Sequence, residues 1–170
     1  MPFTDWTSCR PSRLCYTYEN FAHAKLFMFG KWCESAIERR IVQPADLSGA
    51  CKFGSLFMQS VFGGGLRGHF EHQYNFIDGR LVDLSHDAAD VGCMNNPYLH
   101  EPEYFSVPEL QASLAQCLPR SEGWADEFIV ERTQALQSAE ATSFCLNHSR
   151  SPVLTRQPVK SQETQFAGKG

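Results

Sequence analysis

The sequence predicts an α+β fold, and three observations carry that prediction. Segments with helical apolar spacing open the chain, an Asp-Gly turn joins two alternating runs in its middle, and further helical segments follow. A chain of 170 residues suits one domain with one core. That domain is expected over 1–148. The segment 149–170, sparse in patterned apolar residues and mildly basic, reads as a flexible tail.

The first element is expected over Tyr18 to Arg40, where Phe21, Ala24, Leu26, Phe27, Phe29, Trp32, Cys33 and Ile37 recur near helical spacing. Glu19 near its start and Arg39 and Arg40 at its end suit the helix dipole. A connector with Pro44 and Gly49 leads to a second helix, Cys51 to Phe62, with Ser48 as candidate N-cap and the run Gly63 to Gly65 as its stop. The hairpin comes next. A long polar loop from His86 carries one helical turn at most. Two helices then follow, the first opening near Ser106 and Pro108, the second running from Ser121 through Trp124, Phe128, Ile129 and Leu136.

Composition narrows the function. The 42% hydrophobic and 20% charged content is ordinary for a globular protein, and a net charge of −4 gives no nucleic-acid footprint. No apolar run approaches the roughly 20 residues of a membrane span. The first residues lack the apolar core of a signal peptide, so a cytoplasmic site is expected, or secretion by a route without a readable signal. Seven cysteines, odd in number and scattered without a CxxC, argue against a disulfide framework or a zinc ribbon.

Chemistry concentrates in the hairpin. If Asp78 and Gly79 form a two-residue type I′ turn, Phe76 opposes Leu81, Tyr74 opposes Asp83 and His72 opposes Ser85. Opposed residues share a face, so His72 and Asp83 become diagonal neighbours on one face. Gln73, Asn75, Ile77, Val82 and Leu84 take the other. An aspartate bonded to an imidazole fixes its tautomer and raises its basicity. Cys51 stands in the first turn of its helix, where free N–H groups and the dipole favour thiolate over thiol. Its own N–H could help hold an oxyanion, and Gly49 would let a substrate come close to the backbone. The same residues also fit a structural His–Asp pair and a core thiol. A zinc site drawn from His72, His86, Cys93 and His100 is a further alternative, although His69 and His72, three apart on a strand, would face opposite ways. No metal and no cofactor is therefore assigned.

The stretch from Ser48 to Asp87 resembles the YunG-like families of small bacterial proteins in the papain-like/transglutaminase-like superfamily. The likeness rests on Gly49-Ala50-Cys51 opening a helix, Phe62-Gly63-Gly64 ending it, His72 with Asn75, the Asp78-Gly79 turn, and Asp83-Leu84-Ser85. The resemblance implies a papain-like fold, a nucleophile helix packed on a small antiparallel sheet that supplies His and Asp. It also implies cysteine-dependent acyl chemistry on an amide or ester through Cys51, His72 and Asp83, with a protein or peptide substrate and neither nucleic acid nor membrane as partner. Peptidase, amidase, deamidase and transglutaminase-like activities share that chemistry. Ala50 and Ala45 stand where such proteins carry side-chain amides, so oxyanion support falls to Ser48, Gln43 or a backbone N–H, with Asn75 as a further supporting residue. That departure also leaves open a binding or regulatory module that keeps the fold without turnover.

Overall fold

The computed structural model describes residues 3–148. The chain divides into two compact units, Met1–Ala135 and Leu136–Gly170. The expected tail, 149–170, lies outside the described residues.

Helix α1 spans Tyr18–Glu38, and Thr17 caps it by accepting the Asn20 N–H at 3.1 Å. Asn20, Ala24, Met28, Trp32 and Ala36 are buried at intervals of four, the spacing that stacks side chains along one helix face. Leu26 and Ile37, expected on the apolar side, lie exposed.

Helix α2, Cys51–Phe62, has the expected bounds and stops at Gly63, whose φ is 74°. Leu56, Phe57, Met58, Val61 and Phe62 are all buried, so α2 runs through the interior. Ser48 does not cap it. The cap position is Ala50, which offers no side-chain hydrogen bond. The Ser48 hydroxyl instead accepts the Asp90 N–H at 3.3 Å, and Asp46 Oδ2 accepts the Ala89 N–H at 2.9 Å. Both groups therefore satisfy the free N–H groups of a different helix, α3 (Ala89–Gly92).

Three antiparallel strands stand in the order β1 (Gly65–Gly68), β2 (Gln73–Ile77) and β3 (Arg80–Val82). Phe76 pairs with Leu81 and Asn75 with Val82, in the expected register. Asp78 and Gly79 have φ of 49° and 75°, as a type I′ turn requires. The first strand was not foreseen. Instead of one strand through His69 and His72, the chain turns back between them, with the His69 N–H donating to the His72 carbonyl at 2.9 Å. Gly68 permits this turn: its φ is 138°, and a Cβ there would run into the His72 carbonyl.

After α3 and a 3₁₀ turn, Pro102–Ser106, one long helix α4 spans Pro108–His148 in place of the two expected. Ser106 lies inside the 3₁₀ turn and opens no α-helix. Pro119 sits within α4, where an interior proline costs about 3 kcal/mol. Tertiary contacts on both sides of it keep the helix continuous. Leu110 and Leu114 pack with Trp6, Leu56, Leu66 and Phe105, while Ala125 and Phe128 join Met28, Phe57 and Phe62. Between them the Ser121 hydroxyl donates to the Phe53 carbonyl at 3.2 Å, and Arg120 meets Glu38 at 2.8 Å. The architecture is α+β, helices with a small antiparallel sheet. No helix among the described residues is long and apolar enough to cross a membrane.

Candidate active site

Cys51 is the first residue of α2 and is half-buried. Its thiol donates to Gln73 Oε1 at 3.4 Å. Gln73 is itself buried at the start of β2, and its Nε2 donates to the His69 carbonyl at 2.8 Å.

His72 precedes β2, at the foot of the β1–β2 turn, with its side chain only 1% exposed. The imidazole Nε2 lies 2.9 Å from Asp83 Oδ2. An ionised carboxylate only accepts, so Nε2 carries a proton. Asp83 follows β3, is 3% exposed at its side chain, and is held on every side. Its Oδ1 accepts the Ser85 N–H at 2.9 Å and the Ser85 hydroxyl at 3.0 Å, and its Oδ2 also accepts the Tyr98 hydroxyl at 3.3 Å. Tyr74 and Tyr98 flank the imidazole, with ring centroids 6.1 and 6.2 Å away. The remaining ring nitrogen, His72 Nδ1, is buried and makes no hydrogen bond.

Electrostatics favour charge on this pair. Burial works against an imidazolium at His72, but the Asp83 hydrogen bond and the adjacent Cys51 sulfur outweigh it, and the pKa rises to about 9. Burial likewise opposes the Asp83 carboxylate, yet His72 and Ser85 hold its pKa below the usual value. Tyr98 is pushed up to about 12, by burial and then by the Asp83 charge, so its hydroxyl stays a donor.

Cys51, His72 and Asp83 are thus brought together, from the start of a helix and from the two ends of the β2–β3 hairpin. Of the supporting candidates, Asn75 donates from Nδ2 to the Ser55 carbonyl at 2.9 Å and ties β2 to α2. Ser48 is turned to α3, as described above. Gln43 is exposed in the connector, with no hydrogen bond to the site among the described residues. Gln73 and Tyr98 touch the site and were not assigned to it from sequence. Turn parity already put Gln73 on the sheet face opposite His72, alongside Asn75, and that face packs on α2. For Tyr98, placed in an irregular loop, the sequence reading is core packing, with a cleft wall as the lesser alternative.

Two of the zinc candidates, His86 and His100, are engaged by backbone. His86 Nδ1 lies 3.2 Å from the Asp83 carbonyl, and His100 Nδ1 accepts the Gly68 N–H at 3.3 Å. No group of three or more His, Cys, Asp or Glu among the described residues could hold a metal ion.

The space enclosed beside Cys51, Gln73, Asn75 and Asp83 is about 10 Å³, at the lower limit for one water. A substrate must therefore come from outside. An open groove of about 560 Å³ is lined by His69, Glu71, Asp90, Cys93, Asn95 and Leu99, and is tied to the chain just before Cys51. Asp90 forms that link, since its Oδ2 accepts the Gly49 N–H at 2.7 Å. A larger apolar groove of about 620 Å³, between α1 and the Ala45–Leu47 connector, includes none of Cys51, His72 and Asp83.

Comparison with known proteins finds no matching family model, no matching curated protein and no matching solved structure.

Proposed function

We propose that the protein is a papain-like cysteine hydrolase or acyl transferase acting on an amide or ester, with Cys51 as nucleophile, His72 as proton carrier and Asp83 as its orienting group. One observation supports this most. His72 is anchored to Asp83 through Nε2, while its other nitrogen stands buried, unpartnered and beside the Cys51 sulfur.

In the proposed reaction, the thiol proton passes to Nδ1 of His72 in its neutral form, which Asp83 makes a strong base, and the raised pKa then favours the imidazolium beside the thiolate. The thiolate adds to the substrate carbonyl. The N-terminus of α2, which has no side-chain cap, presents backbone N–H groups for the resulting oxyanion. The imidazolium protonates the departing amine or alcohol, leaving an acyl thioester on Cys51 and a neutral imidazole. His72 then takes a proton from water, or from an acceptor amine or alcohol, which attacks the thioester. The thiolate leaves and is reprotonated. A protein or peptide is the expected substrate class.

The test is iodoacetamide labelling followed by mass spectrometry across a range of pH. Cys51 is expected to label faster than the other six thiols at pH 6, and His72→Ala to abolish the difference. Equal rates for all seven would sink the reading. A second reading, a binding module without turnover, draws support from the hydrogen bond of the thiol to Gln73 Oε1. A burst of one equivalent of alcohol from an activated acyl ester, lost in Cys51→Ala, separates catalysis from binding.

A further inference from the structure

The resting position of the Cys51 hydrogen deepens the proposed function and rests on it. The sulfur has two possible partners. His72 Nδ1 is buried and makes no hydrogen bond, and with the pKa raised to about 9 it carries a proton at pH 6, which favours a thiolate beside it. Gln73 Oε1 is occupied, at 3.4 Å. The orientation of the Gln73 amide is set by its other end. Nε2 donates to the His69 carbonyl at 2.8 Å, and reversing the amide would bring two oxygens face to face there. Oε1 must therefore point at the sulfur. An oxygen in that place accepts from S–H and repels a thiolate.

We propose that Gln73 is a positioning residue that stores Cys51 as a thiol, and that activation consists of turning the sulfur from Gln73 Oε1 to His72 Nδ1. The two partners oppose each other on one sulfur. His72 favours loss of the proton, and Gln73 favours keeping it. His72 ends the β1–β2 turn and Gln73 opens β2, so both partners reach the start of α2 from neighbouring backbone positions. The exchange asks for a change of the Cys51 side-chain rotamer. No covalent bond is made or broken in that step.

Other titrating groups that face Cys51 do not confuse the readout below pH 8. Tyr104 from the 3₁₀ turn and Cys117 from α4 are both raised, chiefly by burial and further by charge on Cys51. On α2 itself, Lys52 Nζ is tied to Ser113 Oγ at 3.0 Å. His72, with Asp83 behind it, is the group whose contribution is to be measured.

Two full-length variants separate the proposed role from a merely structural one. Gln73→Met and Gln73→Glu both lose the bond to the His69 carbonyl, so a structural role moves both in the same direction. Only Gln73→Glu keeps an oxygen toward the sulfur. The iodoacetamide rate of Cys51 at pH 6 is expected to rise about threefold to tenfold in Gln73→Met, the worth of one hydrogen bond, and to fall below the wild-type rate in Gln73→Glu. Rates that move together, or do not move, overturn the proposal. The infrared difference spectrum between wild type and Cys51→Ser at pH 6 needs no change at Gln73. A hydrogen-bonded S–H band assigned to Cys51 is expected, and its absence overturns the proposal as well. Failure of the underlying triad is recognised separately, because it leaves the wild-type rate unchanged in His72→Ala.

Discussion

Asp83 is the residue on which the site's charge depends. Its carboxylate accepts from His72, Tyr98 and twice from Ser85, so removing the charge leaves four donors facing a neutral group. Asp83→Asn keeps the shape and changes the electrostatics. Turnover is expected to fall by about 10²-fold or more, since the base loses the group that orients and strengthens it. Stability carries a second signature. His72 has its pKa raised from 6.5 to about 9 on folding, so its contribution is complete below 6.5 and disappears as pH rises through 9. The Asp83 pKa is lowered from 3.8, so its contribution is present above 3.8 and lost as pH falls through the lowered value. The two describe one ion pair and are not added. Thermal melts of wild type and Asp83→Asn should therefore differ most between about pH 4 and 6.5, and converge as pH rises past 9 and as it falls through the lowered Asp83 value. A difference in melting temperature that is constant across pH would refute the ion-pair account.

Among the elements, the β1–β2 turn carries the imidazole, and its geometry depends on Gly68. Gly68→Ala combines a positive φ with a clash against the His72 carbonyl. It is expected to cost about 1–3 kcal/mol by chemical denaturation and to slow Cys51 labelling, because the clash displaces His72. Gly79→Ala makes the contrast. Its φ is also positive, at 75°, but a Cβ there meets nothing within 4 Å, so strain without displacement should leave labelling intact. Element signals of this kind were unevenly legible. Helix α2 and the β2–β3 register could be read because glycines mark the helix end and the hairpin turn. Strand β1 could not, since Gly65-Leu66-Arg67-Gly68 has a single apolar side chain and no alternation; it pairs because β2 and the N-terminal segment lie beside it. The proline that suggests a break in α4 is overridden by packing on either side. For the candidate site, parity placed His72 beside Asp83, and the helix start located the thiol. Gln73 was legible as a face but not as a contact, because a strand pattern specifies direction and not reach.

Across the whole molecule, both buried clusters draw their residues from positions up to Phe128. The unit Met1–Ala135 thus contains the sheet, the site and the core together. A chain ended after Ala135 is expected to unfold cooperatively within a few degrees of the full-length protein and to keep the Cys51 labelling profile; loss of either would show that later residues support the site. Within this unit the segment before Cys51 and the segment after Asp83 exchange hydrogen bonds. Asp46 and Ser48 receive the N–H groups of Ala89 and Asp90, and Asp90 returns the exchange at Gly49. Followed as a path, the chain leaves Cys51 along α2, crosses the sheet to Asp83, reaches α3 and closes through Asp90 onto Gly49, two residues before its start. The site is mounted on a closed circuit. A displacement at Asp83 is therefore shared with Cys51, and the three groups tighten or loosen together instead of drifting apart.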